Sequence, residues 1–177
     1  MRSAQAANIE EREERYVQED RLGCAELELA NLHIIQALID HVDDIVPLFD
    51  SYRQFYGQSR DMEGARQFLA ERLNRKESVI YLALEDEKAV GFVQLYPSFS
   101  SESMKPLWIL NDLFVATQAR GRGVGKALLV KSREFAKVTG AKGLVLQTGI
   151  NNSAAQGLYE SLGWKRDELF YSYYLNL

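Results

Sequence analysis

Two short apolar segments, residues 108–115 ("WILNDLFV") and 143–148 ("GLVLQT"), have strand composition, and what joins them constrains the fold most. Residues 116–142 open on "ATQARGRGVG" and continue with Val124, Ala127, Leu128, Phe135 and Val138 on one helical face, ending near Gly140. A link of that length is a crossover and makes its two strands parallel. The second segment does not alternate, which predicts a strand buried on both faces.

The chain before this crossover predicts the opposite pairing. "SVIYLALEDEKAVGFVQLYP" reads as two strands about a charged turn at residues 85–88, "SFSSESMK" as a polar loop, and "PLWILNDLFV" as a third strand. Three successive strands make an antiparallel meander. Upstream, "LHIIQAL" suits a strand, and two helices follow it. The first carries Val42, Ile45, Val46, Phe49, Tyr52 and Tyr56, with Asp40 or Asp43 as cap, Pro47 acceptable only in or near its first turn and Gly57 at its end. The second carries Met62, Ala65, Leu69 and Leu73. After the crossover, "NNSAAQGLYESLG" predicts a short helix, and the aromatic tail "WKRDELFYSYYLNL" is expected to close the sheet. The order β-α-α-β-β-β-α-β-α-β is therefore α/β in composition: a central mixed, mostly antiparallel sheet with helices on both faces. Ligands of such sheets bind beyond the carboxyl ends of parallel strands, where the glycines lie.

Residues 1–30, with "EEREERYVQED", read as a charged N-terminal extension, and residues 31–177 as one domain. The extension has no apolar core like that of a secretory signal, and no apolar run is long enough to span a bilayer, so the expectation is a cytoplasmic protein without membrane association. Cys24 is the only cysteine and His33 and His41 the only histidines, too few for a zinc site; no metal is expected. A net charge of −4 argues against nucleic acid as a partner. Locally, Arg120, Arg122 and Lys126 suit one small polyanion, and the acidic remainder suits a cationic second substrate.

The glycine segment fails the standard nucleotide loops by register. G-x-G-x-x-G begun at Gly121 meets Lys126 where glycine is needed, and begun at Gly123 it meets Leu128. A Walker loop ending at Gly125 and Lys126 needs glycine at Arg120 and Ser or Thr at Ala127. What remains is Arg-x-x-Gly-x-Gly at a strand-to-helix junction, where free N–H groups and the positive helix end suit a diphosphate. Alone, the same residues also suit a solvated basic turn.

With a second motif the pattern resembles the GNAT superfamily of acetyl-CoA-dependent N-acetyltransferases, over roughly residues 32–177. Arg120, Gly123 and Gly125 match its R/Q-x-x-G-x-G/A loop, Asp112, Leu113, Phe114 and Val115 its D-L-x-V strand, and Asn152, Ala155, Leu158, Tyr159, Gly163 and Trp164 its N-x-x-A-x-x-L-Y…G-W segment. The resemblance implies acetyl-CoA as cosubstrate. Its diphosphate would lie on Arg120, Gly121, Arg122, Gly123, Val124, Gly125 and Lys126, its pantetheine on Leu113, Phe114 and Val115 near a bulge, with Asn152 and Tyr159 also at the coenzyme. Only a short tail follows Trp164 where the family has two strands. Either one strand is vestigial or a second copy completes the sheet, which gives the expectation of a homodimer.

Acetyl transfer to an amine needs a neutral nucleophile, a donor to the carbonyl oxygen and a proton for the departing thiolate. The resemblance implies Tyr159 as that acid, although spacing alone also suits it to an apolar helix face. Asp112 is the nearest candidate base; it could equally bind the cationic substrate or cap a turn, with water taking the proton. A backbone N–H between residues 113 and 115 is the expected oxyanion donor. Tyr52, Phe55, Tyr56, Tyr96, Phe99 and Trp108 are candidates to line the acceptor pocket or to pack the core. The acceptor would be a small-molecule amine, a polyamine or a basic peptide; a non-catalytic acyl-CoA sensor uses the same loop.

Overall fold

The computed structural model describes residues 31–176, which divide into two units, residues 31–149 and 150–176. The charged extension and Cys24 lie outside the described residues.

The first unit holds β1 (Leu32–Gln36), α1 (Val42–Phe55), α2 (Met62–Asn74), β2 (Val79–Glu85), β3 (Lys88–Ser100), β4 (Lys105–Val115), α3 (Val124–Val138) and β5 (Leu144–Val145). The sheet follows chain order, β1-β2-β3-β4-β5, antiparallel except for the parallel pair β4–β5. The crossover thus makes the parallel pair and the meander the antiparallel ones. Glu85 pairs with Lys88 across a two-residue turn in which Asp86 and Glu87 both have positive φ, the geometry whose twist suits a hairpin.

Period-two alternation sends side chains to two helical layers. Ile80, Leu82 and Phe92 join Ile45, Val46, Phe49, Ala65 and Leu69 in one buried cluster under α1 and α2. On the opposite face, Tyr81 and Trp108 meet Phe135 of α3, with ring centroids 5.8 and 4.8 Å apart. Each fully buried leucine or isoleucine contributes about 1.5–3 kcal/mol relative to exposure, so these two faces carry most of the stability.

Three expectations are corrected. Neither Asp40 nor Asp43 caps α1: a 3-10 turn, Ile39–His41, leads into it, the Leu38 N–H donates to His41 Nδ1, and Asp43 pairs with Arg66. Pro47 does lie near the first turn, as expected, and the carbonyl it leaves without a helical donor is that of Asp43, at the exposed start of the helix. The polar loop shrinks to the turn at residues 101–104, because the β3–β4 ladder continues to Ser100↔Lys105. Finally, β5 has two residues, with Val145 45% exposed, since β4 pairs with it on one side and, among the described residues, no strand on the other.

The second unit contains α4 (Ser153–Ser161), and residues 165–176 form no strand. The tail therefore does not close the sheet. Its alternation is interrupted locally: the Asp167 carboxylate accepts from the N–H groups of Leu169 and Phe170, taking the donors a ladder would use. Among the described residues no helix is long and apolar enough to cross a membrane.

Candidate active site

β4 is built around one irregularity. Gln94 pairs with Asp112 and Leu95 with Leu110, so Asn111 has no opposite residue and forms a bulge. An extra residue reverses the phase of the strand. Before the bulge the even positions face β5, for Pro106 C=O accepts from Lys142 and Trp108 N–H donates to Gly143. Beyond it the odd positions face that way: Ala116 N–H turns to Val90 of β3, while Val115 C=O accepts from Arg120 Nε at 3.0 Å. Leu113, two residues earlier, shares the outward direction of Val115. Because β5 pairs only with Trp108 and Ile109, this edge of β4 has no partner strand among the described residues from residue 110 onward. The irregularity thus lies just ahead of the expected 113–115 segment.

The same phase change puts Asp112 under α1. Its carboxylate accepts from the Tyr52 hydroxyl and, at 3.1 Å, from Asn111 Nδ2. Burial pushes the Asp112 pKa up, and the two hydrogen bonds hold it down in part. The Tyr52 hydroxyl also lies 3.4 Å from the bulge carbonyl of Asn111. Tyr96 is pushed up to about 12, first by burial and then by the nearby Asp112 charge. From Tyr52 a chain of edge-on aromatic contacts runs outward through Tyr56 at 5.1 Å to Phe55 at a further 5.2 Å, both exposed. The six candidate pocket aromatics therefore separate. Tyr52 and Tyr96 lie beside Asp112, Tyr56 and Phe55 extend outward from Tyr52, Trp108 locks β4 to α3 by donating to Thr139 Oγ1, and Phe99 is exposed near the β3–β4 turn.

The glycine loop bridges β4 and α3. Gly121 and Gly123 both have positive φ, and Gly123 is the N-cap of α3 in the left-handed region. A glycine cap offers no side-chain acceptor, and the first turn has no acidic residue, so the leading N–H groups of α3 have neither cap nor carboxylate. That is the donor set and field a diphosphate needs. Behind the loop, Gly91 lets α3 approach the sheet: a Cβ there would stand 2.9 Å from the Phe114 carbonyl oxygen and 3.2 Å from Val124 Cγ1. The basic residues divide. Arg120 folds back onto β4, its guanidinium 5.6 Å from the Phe114 ring centre, and Arg122 pairs with Glu85, a residue without a sequence signal of its own.

In the second unit Asn152 caps α4 by accepting from Ala155 N–H at 3.3 Å. Tyr159 is half-buried, its ring centroid 5.9 Å from that of Trp164. The sequence motif N-x-x-A-x-x-L-Y…G-W thus spans one capped helix and the aromatic contact at its end.

The acetyltransferase (GNAT) family matches this chain over residues 45–164, from α1 through both motifs. The chain belongs to that family. An N-acetyltransferase of Bacillus subtilis (strain 168), itself uncharacterized, is 47% identical over 82% of this chain and 98% of its own length. The crystal structure of a probable acetyltransferase, 48% identical, superposes with a TM-score of 0.78 over 82% of this chain and 97% of its own. An aminoglycoside N-acetyltransferase, AAC(6′)-Iy, solved in complex with CoA, shares the fold at a TM-score of 0.69 and 20% identity, covering 82% of this chain and 95% of its own. This GNAT protein is accordingly an N-acetyltransferase, and GNAT enzymes use acetyl-CoA. Among its described residues no three His, Cys, Asp or Glu side chains converge as a metal site.

Proposed function

We propose that this GNAT enzyme transfers the acetyl group of acetyl-CoA directly to a primary amine on a cationic small molecule, polyamine or basic peptide. The observation that carries the proposal is the junction of β4 and α3. A strand edge with no partner strand among the described residues, and with outward N–H groups, leads into a glycine-led helix start without a side-chain cap. Pantetheine is amide-rich and extends as a strand does, so it suits Leu113, Phe114 and Val115. The diphosphate suits the N–H groups from Gly121 to Lys126, with Lys126 adding charge and Asn152 contributing from its own unit. Acetyl-CoA supplies the activated acyl group.

The protein residues then have three tasks. Asp112, on the face with Tyr52 and Tyr96, binds the acceptor ammonium and takes its proton, which its raised pKa favours. An outward N–H of Leu113 or Val115 donates to the carbonyl oxygen as charge develops there. Tyr159 gives its hydroxyl proton to the departing sulfur. The N–C bond forms as the C–S bond breaks; the nitrogen gives up one proton before attack and a second after it, both passing through Asp112 to solvent, and solvent restores the Tyr159 proton.

Thiol release from acetyl-CoA across amines, polyamines and basic peptides tests this. Release with at least one acceptor class is expected, and Tyr159→Phe should lower turnover by about 100-fold with coenzyme affinity retained. Coenzyme binding with no thiol release from any acceptor would instead describe an acyl-CoA sensor. A homodimer completes the proposal, supported by the exposed apolar tail at residues 169–175.

A further inference from the structure

We infer that Glu85 is a positioning residue for the donor site, acting through Arg122 to hold the glycine turn in its anion-binding form. Residues 121–123 have a single side chain among them, that of Arg122, flanked by two glycines of positive φ. Such a turn is costly to order, and glycine gives it nothing to pack. Its ends are fixed. Arg120 Nε donates to Val115 C=O on one side, and Val124, 2% exposed, is buried on the other. Among the described residues its middle is tied through Arg122, whose Nη1 donates to Glu85 Oε2 at 3.0 Å while Nη2 contacts Oε1.

This two-point fork sets orientation as well as distance. Glu85 is itself held as the last residue of β2, paired in register with Leu32 and Lys88, and its side chain is only 21% exposed. The brace thus ties the turn to the rigid β2–β3 hairpin. It also commits the Arg122 guanidinium to a carboxylate, leaving the turn and helix N–H groups with Lys126 to meet the diphosphate.

The inference rests on the coenzyme assignment of this loop, and the sign of one measurement separates it from simple electrostatics. Glu85→Gln removes a negative charge near an anion site and frees Arg122. If charge or competition for Arg122 governed binding, coenzyme A would bind more tightly. If Glu85 braces the turn, binding weakens by about three- to tenfold in calorimetry with coenzyme A, with kcat at saturating acetyl-CoA retained. In the ligand-free protein, amide exchange at residues 121–126 should also accelerate, and the swap Glu85→Arg with Arg122→Glu should recover affinity to within about threefold of wild type. Unchanged or tighter binding, or unchanged exchange, overturns the brace. Wild-type protein that fails to bind coenzyme A overturns the functional proposal instead, while the exchange comparison still decides the role of Glu85.

Discussion

Asp112 shows what a single buried carboxylate costs and supplies. Its folded pKa is raised above the ordinary 3.8 because burial outweighs the hydrogen bonds from Tyr52 and Asn111. The folded state therefore binds the proton more tightly than the unfolded chain. Its stabilising contribution is full below the unfolded value and is lost as pH rises through the folded one. Above the folded value the ionised group therefore opposes folding. Asp112→Asn should then melt at a higher temperature than wild type at pH 7, with the gap closing toward pH 4, as scanning calorimetry across that range would show. The same substitution should lower turnover by about 100-fold and flatten the acidic limb of the pH–rate profile. A lower melting point at pH 7 would mean that the charged carboxylate stabilises the fold. Sequence singled out Asp112 from its place before the glycine loop, but not its partners: Tyr52 is 59 residues away from the bulge it contacts, and only the fold joins them.

At the scale of elements, what was legible depended on how local its cause was. The hairpin at Glu85 and Lys88, the helix led by Gly123 and the parallel pair across the crossover all follow from short-range pattern or connection length. The bulge at Asn111 does not, since it is a mismatch between β3 and β4 and leaves no mark in either strand alone. The brevity of β5 was hidden likewise, because apolar "GLVLQT" reads the same with or without a second neighbour. The α1–α2 junction has the same long-range character. Asp50, 2% exposed on α1, accepts from Gln54 Nε2 and from Asp61 N–H, both at 2.8 Å, and Asp61 in turn caps α2 through Gly64 N–H. One carboxylate thus fixes where the second helix begins. Asp50→Ala leaves the Asp61 donor without its partner and should cost about 2 kcal/mol, a fall of about 4–8 °C in melting temperature. Asp50→Asn keeps an acceptor and should lose about half as much. Equal losses for the two would assign the effect to charge rather than to the hydrogen bond.

For the whole molecule, the tail poses the remaining physical problem. Leu169, Phe170, Tyr171, Tyr173, Tyr174 and Leu175 are each at least 79% exposed, within a few residues of one another. An apolar patch of that density is rarely left in water, and here none of the five strands comes from it. Its sequence has the length and composition of a strand, so the homodimer proposal gives it a second copy of the chain as partner. Light scattering at assay concentration should then report about twice the monomer mass for the full chain. Removal of residues 168–177 should return the protein to a monomer, and Tyr173→Lys with Leu175→Lys should do so without shortening it. The glycine loop and β4 contain no tail residue, so the shortened protein should keep coenzyme affinity within about threefold of the full chain. A monomer at full length would instead leave the exposed tail to some other partner, and the aromatic residues would then belong to that contact.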